Sequence, residues 1–468
     1  MQTKFVTSLI LLLVIASAPA QELSPTPDLY RALAIISPSS LRGNLSFIAA
    51  DQLEGRDTPS RGLDIAALYI AAQFRRAGLQ PGGDDGYFQT AKMLRIAGAA
   101  EGFELRMRKG ALTLEVSREL TTVVSQRMLD LTDAPVYKIS GAVDVTGKIV
   151  VLGDSRKAAA LHPAAFLETA DDDGGPAPRL IDAEQERAEF GDAPRLIVRD
   201  PEAVKLLNEA KNGETGITVS IKLTAPTATP VTVRNVAGLL RGSDAALRDQ
   251  YVLLTAHEDH LGRNSAGEVF PGANDDGSGT VSVIEIAQAL ATMKVHPKRS
   301  ILFMTFFGEE EGSLGSNYYT RHPLFPLAQT AADLNLEQLG RTDSSAGPEI
   351  ANATLTGFRY STVARTLQAA GKLTGVKVYD DPRGDDFFDR SDNQTFAEHG
   401  IPAHTIVVAF EFPDYHATGD VWQKIDYRNL AKVDRMIALG VVMLADDAQR
   451  PRWNRANPKT RRYLRDKH

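Results

Sequence analysis

The chain has no cysteine, no excess of basic residues and, beyond its first twenty positions, no apolar run long enough to cross a bilayer. The first absence removes any disulfide framework, any thiolate metal site and any thiol for lipid attachment behind a leader. The second sets 52 Lys and Arg against 59 Asp and Glu, a formal net charge of −7. That balance argues against a nucleic-acid partner, whose phosphates would need neutralising. The third argues against stable membrane insertion. What is present is ordinary globular composition, 43% hydrophobic and 24% charged over 468 residues, enough for one large core and a second domain.

Residues 1–20 combine Lys4, an apolar stretch over 5–16 and Ala18-Pro-Ala20. That is the build of a secretory signal cleaved before Gln21, and it predicts an exported, periplasmic or secreted protein. Residues 451–468 are basic and read as a solvated tail. Helices are expected over 41–55 and 63–77. The second carries an apolar stripe at Ile65, Leu68, Tyr69 and Ala72, with Gly78 as its stop. From 101 to 230 short β-like runs such as 149–152 alternate with Gly, Asp and Pro, and 171–178 reads as an exposed loop. This segment is expected to be a small inserted β-rich domain.

From Asn235 the pattern becomes strand, loop, helix. Candidate strands lie at 251–256, 301–306, 334–336 and 405–410, with a buried helix at 280–293. Such alternation predicts an α/β fold with parallel strands at the centre of a mixed sheet, and ligands then bind beyond the strands' carboxyl ends. Polar residues of one site should therefore follow strands. The run Ile301-Leu-Phe-Met-Thr-Phe-Phe ends in Glu309, Glu310 and Glu311, and 251–256 ends in His257-Glu-Asp-His260. The run 334–336 ends in Glu337, 405–410 leads to Tyr415-His416, and a Gly-rich loop carries Asp275 and Asp276 before the buried helix. Carboxylates crowded at the mouth of an apolar strand repel one another unless a cation or a shared proton intervenes. Two imidazoles with several carboxylates and no thiol suit zinc, with cobalt or manganese as substitutes. Magnesium or calcium would not call for the histidines.

These residues resemble the two-zinc exopeptidases that include bacterial leucyl aminopeptidases and aminopeptidase Y. The motifs are Ala256-His-Glu-Asp-His-Leu-Gly262, Asn274-Asp-Asp-Gly-Ser-Gly279, Gly308-Glu-Glu-Glu-Gly-Ser-Leu-Gly-Ser316, Asn335-Leu-Glu-Gln338, Ser391-Asp392 with Gly400-Ile-Pro402, and Tyr415-His-Ala-Thr-Gly-Asp420. The resemblance covers most of the mature chain. It implies a three-layer peptidase domain made of residues 21–100 and 231–450, interrupted by a protease-associated-like domain over 101–230. It further implies that Asp275 bridges two zinc ions, with His257 and Glu337 on one and Glu310 and His416 on the other. Glu309 would be the general base for a metal-activated water, Asp259 would orient the His257 ring, and Tyr415 would donate to the oxyanion. The substrate implied is a peptide with a free amino terminus. The chain departs from the family at Glu337, where Asp is usual, at Glu258, where an aromatic or aliphatic residue is common, and at Asn393, where His is common.

Alternatives of other classes stay open at this point. Arg383 and Arg390 could hold a terminal carboxylate, as a carboxypeptidase or dipeptidase requires. A glutaminyl cyclase-like transferase would keep one zinc, and a binding module would have lost the metals altogether. For an aminopeptidase, Glu258, Asp385 and Asp386 are the acidic groups available to meet an α-ammonium.

Overall fold

The computed structural model describes residues 25–97, 102–139, 145–151, 162–170, 180–342, 347 and 350–464. The leader expected at 1–20, the loop expected at 171–178 and the last four residues of the tail lie outside these. Among the described residues no helix is long and apolar enough to cross a membrane.

Four apolar runs build the centre of a ten-stranded mixed sheet: Ala403–Val407, Thr330–Leu336, Tyr251–His257 and Ser300–Phe306, neighbours in that order and all parallel. Every residue in them is buried, as expected of strands covered on both faces. Side chains alternate between two cores. Val252, Leu254, Ile301 and Phe303 point into one, with the helices Pro38–Ile48, Arg61–Ala77, Ser278–Ala291 and Tyr427–Asp446. Leu253, Leu302, Met304 and Phe306 point into the other, with Tyr319 and Phe396 from the helices Leu314–Arg321 and Asn393–Glu398. Each large apolar side chain so buried contributes about 1.5–3 kcal/mol. Helix, sheet and helix thus form three layers, and the centrally parallel mixed sheet is the one expected.

The antiparallel strands Phe88–Ile96 and Ala228–Leu240 flank this centre and pair along most of their length. The chain between them forms an eight-stranded sheet over Glu104–Lys109 to Gly213–Leu223, with its own core of Leu105, Met107, Val136, Leu167, Leu196 and Val219. One strand of this segment, Leu180–Asp182, instead joins the edge of the main sheet beside Phe88–Ile96.

Two local expectations are corrected. The helix Arg61–Ala77 starts at Ser60, whose hydroxyl accepts the Leu63 N–H, and stops at Gly78 at φ +81°, as the sequence suggests. Its buried face, however, is Leu63, Ala66, Ala67, Ile70, Ala71 and Phe74, while Leu68 is 60% exposed. Small alanines let this helix pack closely, and the larger residues of the expected stripe lie at the edge. The basic tail is not free in solvent. Tyr463, 1% exposed, stacks on Trp453 and packs on Phe388, and Trp453 donates its indole N–H to Gly400 O.

Within the first core Asp434 is fully buried, and neither carboxyl oxygen has a partner. The Ser282 hydroxyl beside it donates to Ser278 O. Nearby Glu285 accepts from Ser40 and Asn44. Burial pushes both acids above their ordinary range, Asp434 well above. A carboxyl that holds its proton better folded than unfolded contributes stability at low pH, and that stability declines as pH rises from about 4. Asp434→Asn should therefore stabilise the protein by roughly 1–3 kcal/mol at pH 8, with the gain shrinking toward pH 4 in calorimetric melts. A gain independent of pH would show that Asp434 is already ionised in the folded protein.

Candidate metal centre

The carboxyl ends of the four parallel strands converge on one pocket. His257 closes Tyr251–His257, Glu309 and Glu310 follow Ser300–Phe306, Glu337 follows Thr330–Leu336, and His416 lies in the loop beyond Ala403–Val407. Asp275 comes from the turn Ala273–Gly277 that opens the helix Ser278–Ala291. His416 sits at φ +52°, a conformation costing about 1–2 kcal/mol for a non-glycine residue.

Asp275 stands between two imidazoles. Its Oδ1 is 3.4 Å from His257 Nε2 and its Oδ2 is 3.1 Å from His416 Nε2. His416 Nε2 is also 3.3 Å from Glu310 Oε2, and Glu309 Oε2 is 3.9 Å from His257 Nε2. A tetrahedral zinc with bonds near 2.1 Å separates its donor atoms by about 3.4 Å. The imidazole nitrogens on either side of Asp275 thus stand from its oxygens at about the donor spacing of a tetrahedral zinc site. Glu337 is turned differently. One oxygen accepts from the Ser391 hydroxyl and, at 3.5 Å, from the Asn335 amide.

The electrostatics fit a cation. Burial pushes Glu309 and Asp276 well above the usual carboxylate range and Glu337 up to about 7. Burial would also raise Asp275, but hydrogen bonds to His257 and His416 hold it well below. Burial would lower His257, yet Glu309 and the hydrogen-bonded Asp259 and Asp275 keep it well above its ordinary value. Carboxylates and imidazoles here compete for protons that a metal would displace.

Supporting groups fix the ligands. Asp259 Oδ1 accepts the Glu309 backbone N–H at 3.1 Å and lies 3.6 Å from His257 Nδ1, while its Oδ2 accepts from Thr58. Asp420 accepts the N–H groups of Asn274 and Asp275. Arg56, 1% exposed, donates to the carbonyls of Ile48, Glu258, Pro271 and Gly272. Gly272 cannot carry a side chain, since a Cβ would lie 2.5 Å from the His260 ring. Tyr415 stacks on His416, ring centroids 3.9 Å apart, and is 46% exposed, so its hydroxyl can reach the opening.

His260, Glu258, Asp385, Arg383 and Asn393 differ in place from what the sequence suggests. His260 has a place that the motif alone did not assign: its Nδ1 is 2.7 Å from Glu310 Oε1, and His260, Asp275 and Glu310 offer ligand atoms within 4.8 Å of one another. Among the described residues its buried Nε2 has no hydrogen-bond partner. Glu258 does not face the pocket as an acidic group for an ammonium; it is 1% exposed, pushed up to about 8 by burial and bonded by Thr305. Asp385 is held by Lys459 at 2.7 Å, and Arg383 by Asp381 at 3.0 Å. Asn393 has become structural, donating to Phe388 O and accepting from Thr405.

Probable leucine aminopeptidase 2 of Aspergillus oryzae is 29% identical over 245 residues, covering 46% of this chain and 45% of that protein. Aminopeptidase Y of Saccharomyces cerevisiae is 44% identical over 71 residues, covering 15% and 12%. The chain thus spans less than half the length of these curated relatives. The solved aminopeptidase from Aneurinibacillus sp. strain AM-1 aligns over 91% of this chain and 97% of its own, with a TM-score of 0.50 and 20% identity, which establishes a shared fold. Residues 235–441 match the profile of peptidase family M28. That segment, a little under half of the chain, is what resembles peptidase family M28.

Proposed function

We propose that the chain is a zinc-dependent aminopeptidase holding two zinc ions, and the observation that carries this is the placement of Asp275 between His257 and His416 at donor spacings suited to zinc. His257 and Glu337 would complete one site, Glu310 and His416 the other. Cobalt or manganese would suit the same donors. Zinc bound there would polarise the scissile carbonyl and acidify water.

The chain's own groups do the rest. Glu309 sits at the pocket mouth, 13% exposed, with its backbone anchored by Asp259. A raised affinity for protons suits it to take one from the attacking water and return it to the leaving amine. Asp259 positions both Glu309 and the His257 ring. Tyr415, fixed by its stack on His416, donates to the oxygen that gains charge. His260 holds Glu310 through its Oε1 and leaves Oε2 for a cation. The carboxypeptidase alternative is disfavoured because Arg383 is engaged by Asp381. The names of the relatives support a free-amine peptide as substrate. Export through the leader read at residues 1–20 belongs to this proposal. So does a peptidase domain of 21–100 and 231–450 with 101–230 as a protease-associated-like insert; the separate core of the eight-stranded sheet supports that division.

Glu309→Gln should lower kcat by about 10²–10⁴-fold while two zinc equivalents remain by elemental analysis. Undiminished turnover would remove Glu309 as the base. His260→Ala should weaken zinc binding by about 10–100-fold, read by competition with a chromogenic chelator; unchanged affinity would mean that Glu310 needs no such support. The wild type should hydrolyse leucine p-nitroanilide and leave its N-acetyl derivative intact, and a chelator should abolish turnover until zinc is restored. Equal hydrolysis of the blocked compound would rule out an aminopeptidase.

A further inference from the structure

Four basic residues of the carboxyl-terminal segment, Arg452, Arg455, Lys459 and Arg462, fold back onto the domain in two sets. Lys459 and Arg462 meet Asp385 and Asp389. Arg452 and Arg455 instead join Arg359 and Arg365 around a groove of about 630 Å³, beside Phe358 and Trp453. No carboxylate lines this groove. Asp380 reaches Arg359 at 2.6 Å, but among the described residues no acidic group pairs with Arg365, Arg452 or Arg455. The floor adds no charge. Buried His404 donates from Nδ1 to Thr356 O, and its Nε2 takes the Ser361 hydroxyl at 2.6 Å. Burial pushes the His404 imidazole down to about 4, so it stays neutral.

Guanidinium groups gathered without counter-charge repel one another, and in a chain of net charge −7 composition does not require such a cluster. An anion relieves the repulsion. Guanidinium forks match the oxygens of phosphate and sulfate in paired hydrogen bonds. The groove is larger than a single oxyanion, and Phe358 and Trp453 give it an apolar wall. We propose that this groove binds an organic phosphate or sulfate ester of more than one negative charge. The ester could be a free sugar derivative or a lipid headgroup, since both present the same oxyanions. His404 lies near the amino end of Ala403–Val407, whereas the candidate metal centre lies beyond the carboxyl ends. The groove is therefore separate from that centre, and the proposal does not depend on it.

The test uses the full-length protein with two probes. Sucrose octasulfate is titrated calorimetrically, and vesicles containing phosphatidic acid, a phosphate monoester, are compared with phosphatidylcholine by cosedimentation. Arg365→Gln combined with Arg455→Gln changes only exposed side chains, so its melting curve should match the wild type. Its affinity for the bound probe should fall roughly tenfold or more, and wild-type binding should weaken as salt is added. Binding of the octasulfate alone assigns a free ester, and selective binding to phosphatidic acid assigns a headgroup; either supports the proposal. If the wild type binds neither probe, or the double variant binds as tightly as the wild type, the proposal is overturned.

Discussion

Five carboxylates, Asp275, Asp276, Glu309, Glu310 and Glu337, meet three imidazoles, His257, His260 and His416, where four buried parallel strands end. Two like charges at 4 Å and an effective dielectric constant near 20 repel by about 4 kcal/mol, so this edge of the sheet is stable only if positive charge enters it. Protons supply some, as the raised Glu309, Asp276 and Glu337 indicate. Imidazoles on both oxygens of Asp275 supply more. A divalent cation on either side of that carboxylate would supply most, and the donor spacing suits it. The same repulsion that would unravel an ordinary strand end therefore defines what this one can bind.

Holding such a cluster falls to groups that never face the opening. Arg56 comes from the amino-terminal part of the chain, yet it ties together Ile48, Glu258, Pro271 and Gly272 through their carbonyls. Asp420, four residues past His416, receives the N–H groups of Asn274 and Asp275. Thr280 donates to the carbonyl of His257 from the buried helix. The Arg56 bonds to Glu258, Pro271 and Gly272 and the Asp420 bonds join segments far apart in sequence, so the ligand loops are set by the domain as a whole rather than by local propensity. Removing a buried donor such as Arg56 would leave several carbonyls unsatisfied at once, the costly side of hydrogen-bond energetics.

The sheet and the ligand positions were legible because both obey short-range rules. Continuous apolar runs marked the central strands, and polar residues directly after them marked the site. The stripe read on the helix Arg61–Ala77 was displaced, because Ala66, Ala67 and Ala71 sit between Leu63, Ile70 and Phe74 on the buried face, and alanines give a weak periodic signal. Periodicity also could not show that the tail folds back, since Trp453 and Tyr463 pack on Phe388 and Trp453 bonds Gly400, both distant in sequence. Glu258 was misread for a related reason: one residue after His257 it points to the opposite face of the strand end, into the sheet and toward Thr305. His260 was visible in its motif, but nothing local pairs it with Glu310 from a neighbouring strand.

Glu337 and Asn393, two departures from the expected pattern, are physically linked. The longer side chain of Glu337 reaches the Ser391 hydroxyl, which in turn accepts from the Asn335 amide at 2.8 Å. The same amide donates to Thr405 at 3.1 Å, whose hydroxyl donates to Asn393 Oδ1 at 2.8 Å, and Asn393 closes the chain on Phe388 O. Every member is buried or nearly so, where such networks respond as units rather than as separate pairs. An imidazole at 393 would present a different set of donors and acceptors to Thr405, and a shorter acid at 337 would withdraw from Ser391. The carboxylate facing the candidate metal centre and the amide beneath the Phe388 backbone therefore constrain each other, and neither substitution is conservative without the other.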